Sequence, residues 1–185
     1  MKPYESEELE KTAWAIPLFS MKGIYGADNR KRLAAFCAVL RWTGIRIRDV
    51  VMLKKSSIKD GRITLRTTKN KKPVMLILHP SVMPLLDELE TPGDYYFWSG
   101  LGKPKTRVGN WQCTLRRLAE LSGVHVHAHR WRHTFATDLL SKGVPVSEVA
   151  AILGNSVRIV EKHYAQWIES RQMALEEAVK RTSVT

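Results

Sequence analysis

A chain of 185 residues is long enough for one domain with a substantial core and too short for two comfortable ones. Its 30 lysines and arginines against 18 acidic residues leave +12 at pH 7, and the excess is uneven: residues 1–28 carry 3 basic and 5 acidic side chains, net −2, while residues 29–185 carry 27 and 13, net +14. That balance calls for a polyanionic partner, and a membrane is the weaker candidate, because no stretch approaches the roughly 20 apolar residues of a spanning helix and the N-terminus lacks a charged-then-apolar signal pattern.

In chain order, the opening predicts a short acidic helix over Ser6 to Trp14, then a loop through Pro17, Gly23 and Gly26. A helix follows from about Asn29, with Leu33, Phe36, Cys37 and Leu40 at helical spacing, and stops at Thr43-Gly44. Arg46 to Leu53 reads as another short helix. The period then changes: Arg62 to Arg66 alternates polar and apolar, and Val74 to Leu78 is apolar on both faces. With Thr68-Lys69-Asn70-Lys71-Lys72 between them, these form a β-hairpin with a lysine-rich tip. Helical text resumes at Ser81 to Glu90, breaks at Thr91-Pro92-Gly93-Asp94, and continues through a helix marked by Trp111, Leu115, Leu118 and Leu121, then Pro145 to Leu153, then Ile159 to Lys180. The class is therefore mixed, mainly α with a small antiparallel hairpin or sheet. Cys37 and Cys113 lie in apolar helical text without paired or C-x-x-C spacing, which predicts buried thiols in a reducing compartment, no disulfide and no zinc site.

The chemistry concentrates in His129-Arg130-Trp131-Arg132-His133-Thr134-Phe135-Ala136-Thr137. If a helix begins near His129, the imidazole and the Arg132 guanidinium project from one face and can hold one anionic oxygen group. Arginine suits this because its planar fork matches phosphate bidentately and stays charged. Trp131, Phe135 and Leu139 share a spacing that packs inward, and His133 reads as a buried structural residue. Three further groups suit work on a phosphodiester: Arg46, after the glycine of Thr43-Gly44-Ile45; Lys69, on the hairpin tip; and Tyr164, 32 residues beyond Arg132.

Taken together, Thr43-Gly44-Ile45-Arg46, Lys69, the His129-x-x-Arg132 run, Leu153-Gly154 and Tyr164 resemble the catalytic domain of the tyrosine recombinases, the phage integrase and Xer group, from about residue 6 onward. The resemblance implies the recombinase catalytic fold as one domain over 1–185, with 1–28 as a lead-in, 166–185 as a C-terminal helix docking in cis or in trans, and the usual N-terminal DNA-gripping domain absent. It also implies DNA strand transfer without metal or other cofactor. Tyr164 would attack the scissile phosphate, leaving a covalent 3′-phosphotyrosine and a free 5′-hydroxyl. Arg46 and Arg132 would neutralise the non-bridging oxygens, Lys69 would protonate the leaving oxygen, and His129 would assist proton movement. The partners implied are double-stranded DNA and further copies of the chain, as dimer or tetramer on that DNA, in the cytoplasm at the nucleoid.

Physical logic supports such a set. A phenol with a pKa near 10 is only about a thousandth ionised at neutral pH, so it needs a base or a cationic surround to attack. Preorganised cations also stabilise the extra charge of a pentacoordinate transition state, single donors being worth about 3–4 kcal/mol by analogy with oxyanion holes. There are two departures from the family pattern. Asn155 stands directly after Leu153-Gly154, where a histidine or tryptophan is usual, and can offer one amide hydrogen bond but no charge or proton. Arg130 and Trp131 replace the usual acidic residue and leucine, and Arg130 reads as an added phosphate contact. Arg48, Lys71, Lys72, Lys103, Lys105 and Arg107 read as further DNA-facing cations, with Lys54, Lys55, Arg116 and Arg117 either DNA-facing or simply solvated.

Three rivals remain open at this point. Val144 to Ala165 resembles a helix-turn-helix, which would suit a sequence reader without chemistry. His125-x-His127-x-His129 invites a metal-hydrolase reading, although no carboxylate falls between Ser122 and Thr137 to complete the ligand set. The type IB topoisomerases use the same chemical groups.

Overall fold

Glu8 organises the start of the first helix, α1 (Ser6–Ala15), by accepting the N–H of the N-cap residue Glu5 at 2.9 Å. The computed structural model describes residues 2–20, 29–69, 71–164, 176 and 179. It divides into two compact units, Met1–Phe135 and Ala136–Thr185.

In the first unit α1 is followed by a 3₁₀ turn (Ile16–Leu18), α2 (Asn29–Thr43) and α3 (Ile47–Val51). A three-stranded antiparallel sheet comes next, β1 (Ile58–Lys59), β2 (Arg62–Arg66) and β3 (Pro73–Ile77), in that spatial order. Then follow α4 (Val82–Asp87), α5 (Pro104–Ser122) and the start of α6 (Ala128–Ser141). The aromatic centre shows why the helices meet. Phe36 of α2 stacks on Trp111 of α5 with centroids 3.8 Å apart, and Phe97 meets the two rings edge-on at 5.1 and 5.7 Å. The Trp111 indole N–H donates to the Phe97 carbonyl at 3.2 Å, so burial leaves no polar cost there. Phe36 and Phe97 are both fully buried, each worth about 1.5–3 kcal/mol in transferred apolar surface. α1 and α3 pack on α5, and α2 packs on α4.

In the sheet, β2 and β3 pair Ile63 with Leu76 and Leu65 with Val74. Its first turn, Asp60-Gly61, has positive φ at both residues (50° and 68°), the geometry that matches strand twist in two-residue hairpins. Strand β1 is too short to announce itself by alternation. β3 is apolar on both faces, but one of them is open: Met75 and Ile77 are 67% and 73% exposed, because the sheet is covered on one face only. Cys113 is likewise exposed rather than buried, on the solvent side of α5 with Leu121, while Cys37 is buried and its thiol is pushed up to about 12 by desolvation.

The second unit holds the rest of α6, then α7 (Val146–Leu153), which Gly154 ends at φ 61°, and a helical run over 157–164. Among the described residues its buried side chains are Ala136, Thr137, Leu140, Val149, Ala150, Leu153, Val160 and Tyr164. The expected helix over 166–185 lies outside the described residues except for Glu176 and Val179, as does Asn70 of the hairpin tip. Among the described residues no helix is long and apolar enough to cross a membrane.

Candidate active site

Gly44, at φ 59°, takes a left-handed conformation that costs other residues, and it turns the chain from α2 into α3 so that Arg46 becomes the N-cap of α3. The turn is held from both sides. The Gly44 N–H donates to the Leu40 carbonyl at 3.2 Å, and the Gly44 carbonyl accepts Nη1 of Arg132 at 2.8 Å. Arg132 itself is only 4% exposed. One buried guanidinium thus clasps the turn that delivers the other arginine.

α6 begins at Ala128, as the expected pairing of His129 with Arg132 requires. The His127 ring caps it: Nδ1 accepts the His129 N–H at 3.2 Å, which needs an unprotonated Nδ1. His129 is exposed, with its ring edge-on to the buried His133 at 5.0 Å. Arg46, His129 and Arg132 line one cavity of about 830 Å³, walled on the α5 side by Gln112, Cys113 and Arg116 and further along by His125 and His127. Three of the sequence-predicted groups are therefore brought to one place within the first unit.

Lys69 is not among the residues that line this cavity. It is exposed on the β2–β3 loop, which closes through the Thr67 N–H to the Lys72 carbonyl and the Lys71 N–H to the Thr67 carbonyl, both 2.9 Å. Asp49 ties the loop to α3. Its Oδ1 accepts the Thr68 N–H at 2.7 Å, and its own N–H donates to the Arg46 carbonyl at 2.8 Å. The short helix that starts at Arg46 thus grips the residue next to Lys69. Sequence reasoning missed Asp49, which is 4% exposed; a carboxylate among the apolar side chains of a short helix was the available signal, since a buried acid needs a partner.

Lys71 and Lys72 flank Lys69 as exposed cations, and Arg48 is exposed on α3. Lys103, the N-cap of α5, and Lys105 are exposed, and Arg107 is half-buried. The first turn of α5 has no acidic residue, so these cations gather at the positive end of a helix dipole, where an external anion relieves them. Lys55 is instead structural, donating to the Thr91 carbonyl at 2.7 Å.

Arg130 requires a correction. It is not the exposed cation that a phosphate contact was expected to be, but 8% exposed and bonded within the chain: Nε donates to the Lys2 carbonyl at 3.1 Å, Nη2 to the Pro3 carbonyl at 3.2 Å and Nη1 to the His125 carbonyl at 3.3 Å. Its charge is paired with the Glu8 carboxylate, and the guanidinium lies 4.2 Å from the centre of the Tyr4 ring. With four of its five N–H donors engaged inside the chain, this arginine acts as a tether between the N-terminal segment and α6.

In the second unit, Asn155 is half-buried directly after the left-handed Gly154, and its N–H donates to the Ala150 carbonyl at 2.9 Å. Tyr164, 4% exposed, ends the described helical run.

The phage integrase family model matches residues 19–171. A tyrosine recombinase of Agathobacter rectalis is 30% identical over 159 residues, covering 80% of this chain and 52% of its own length. The chain spans about half the length of the curated relatives it matches. The crystal structure of XerA recombinase superposes with a TM-score of 0.69 at 23% identity, covering 98% of this chain and 65% of that one. The catalytic domain of bacteriophage HP1 integrase does so with a TM-score of 0.66 at 19% identity, covering 97% and 94%. The expected fold, mainly helical with a small antiparallel sheet, is the fold of these catalytic domains, and the chain belongs to the phage integrase family, the tyrosine recombinases.

Proposed function

We propose that the chain is the strand-cleaving and rejoining domain of a site-specific recombinase acting on double-stranded DNA. The observation that carries this reading is the cavity lined together by Arg46, His129 and Arg132, in a chain of this family. In the reaction Tyr164 Oη attacks the scissile phosphorus and gives up its proton with the help of His129. The P–O5′ bond breaks, and the departing O5′ takes a proton from Lys69. A phosphodiester is consumed and a phosphotyrosine diester is formed, so the reverse attack by a 5′-hydroxyl reseals the strand without ATP. Arg46 and Arg132 neutralise the non-bridging oxygens and the charge that builds up between them, and Asn155 donates an amide hydrogen bond to the same phosphate.

These cations are the chain's own, so the chemistry is written without a metal. Because Tyr164 is buried, its hydroxyl must be uncovered before it reaches a phosphate. Exchange between two duplexes involves four strands, and one site cuts one strand at a time, so two and then four copies act together on DNA. The exposed lysines and arginines around Lys69, Arg48 and the start of α5 supply phosphate contacts along the flanking duplex, in the cytoplasm at the nucleoid.

Incubation of the chain with a nicked suicide duplex in the presence of EDTA tests the reading. A DNA adduct that survives detergent is expected. DNA binding without any adduct would make the chain a reader built on the α7 and 157–164 helices, with no chemistry of its own.

A further inference from the structure

The segment Lys2–Glu8 lies across the first turns of α6 through contacts that span more than 120 residues of sequence. The Tyr4 N–H donates to Oγ1 of Thr134 at 2.8 Å, and that hydroxyl donates to the Arg130 carbonyl at 3.0 Å. The Tyr4 hydroxyl bridges the residues that lead into the helix, donating to the His125 carbonyl at 3.3 Å and accepting the His127 N–H at 3.0 Å. The Tyr4 ring rests against Trp131, centroids 4.5 Å apart, and under the Arg130 guanidinium. Glu8 closes the arrangement by accepting from both Arg130 and the Glu5 N–H. Tyr4, Arg130 and Trp131 are each less than a tenth exposed.

The residues gripped in this way, His125, His127, Arg130, Trp131 and Thr134, bracket His129 and Arg132, the two polar side chains that α6 contributes to the cavity. We propose that the N-terminal segment is a positioning strap, and that Arg130, Tyr4 and Glu8 set the rotation of the first turn of α6 and so the aim of His129 and Arg132, without touching DNA. The inference rests on the strand-cleavage reading above. The lever is geometric: side-chain tips lie about 6 Å from a helix axis, so a rotation of about 10° displaces them by about 1 Å. A misplacement of about that size can cost on the order of 10²-fold in rate. An arginine is needed because three carbonyls and a carboxylate are met by one planar fork, which an ammonium cannot reproduce.

The test uses the full chain with Arg130→Gln, Arg130→Lys and Tyr4→Phe, measured by single-turnover cleavage of a suicide duplex over a range of DNA concentrations. Cleavage at saturating DNA is expected to fall about 10²-fold for both Arg130 variants and about tenfold for Tyr4→Phe, while DNA affinity stays within about twofold and its salt dependence is unchanged. A weaker affinity with a log–log salt slope smaller by about 0.9, and normal cleavage at saturation, would make Arg130 a phosphate ligand and overturn the proposal. Variants that melt earlier but cleave at the wild-type rate while folded would reduce the strap to a structural contact, which also overturns it. Tyr4→Phe keeps the ring packing and serves if the Arg130 variants do not fold. The imidazole NMR resonances of His129 and His133, read without DNA, keep the strap testable apart from activity. They are expected to shift in Tyr4→Phe, and unchanged resonances contradict the strap whether or not the wild type cleaves. Absence of an adduct from the wild type alone is the failure of the strand-cleavage reading.

Discussion

Arg132 and Lys69 carry the same charge and are held in opposite ways. Arg132 is buried to 4% exposure, fixed by a hydrogen bond to the Gly44 carbonyl, and placed on a helix whose first turn is capped by His127. Lys69 is exposed on a six-residue loop, which the Asp49 carboxylate ties to the body of the fold by holding the Thr68 N–H. The contrast fits two chemical tasks. A group that neutralises the phosphate throughout the reaction gains from being fixed in advance, because it then spends nothing on reorganisation. A proton donor to the leaving oxygen is needed only as the bond breaks, and an exposed lysine stays solvated until DNA arrives.

The sharpest way to break this contrast is at the buried arginine. In the proposed reaction Arg132→Ala removes a phosphate donor along with the clasp on the turn before Arg46, and single-turnover cleavage should fall by at least about 10³-fold. Arg132→Lys should recover little of it, since an ammonium cannot serve the Gly44 carbonyl and a phosphate with one rigid fork. Near-complete rescue by lysine would mean that charge alone matters there.

Lys69→Ala should cost on the order of 10²–10⁴-fold with an ordinary substrate, the range for a lost general acid. Replacing the leaving 5′-oxygen with sulfur, which departs without protonation, should restore most of the rate. If the sulfur substrate rescues Lys71→Ala or Lys72→Ala instead, the proton donor is one of the neighbours on the same loop.

At Asn155 the effects are smaller. Asn155→His should match or exceed the wild-type cleavage rate, and Asn155→Ala should lower it about tenfold or less, the scale of one neutral hydrogen bond. Equal rates for all three would mean that the position does not touch the phosphate. The smallest expected effect is on stability in acid. The Arg130 hydrogen bond holds the Glu8 carboxyl below the usual glutamate range, so this pair stabilises the fold above that range and loses its contribution as pH falls through the lowered value. Melting temperatures of the wild type and Glu8→Gln should therefore converge as pH is lowered from about 6 toward 3.

The elements carrying these residues were legible in the sequence because they are local. Helical spacing marked α2, α5 and α7, alternation marked β2, and Thr43-Gly44 marked the turn before Arg46. The pairing of His129 with Arg132 followed from three-residue spacing on a helix that does begin at Ala128. What local text could not carry was direction. Arg130, one residue from His129, sits about 100° around the helix from it, and only a partner more than 120 residues away decides which way it faces. Cys113 was misread for the same reason, and the apolar text of β3 likewise did not tell its covered face from its open one: apolar neighbours do not reveal which face the rest of the chain will cover. Asp49 was overlooked because its partner, the Thr68 N–H, is a backbone group that no side-chain pattern announces.

The central claim, that this fold aims its cations at a phosphate which one tyrosine attacks, is tested most directly by mapping the covalent link. The wild-type chain is trapped on a suicide duplex, digested with trypsin, and the peptide that carries the nucleotide is sequenced by mass spectrometry. The account predicts the nucleotide on Tyr164, joined to a DNA 3′-phosphate, with no adduct from Tyr164→Phe, which should still bind the duplex. A nucleotide on Tyr95 or Tyr96, or an adduct that persists in Tyr164→Phe, would contradict it.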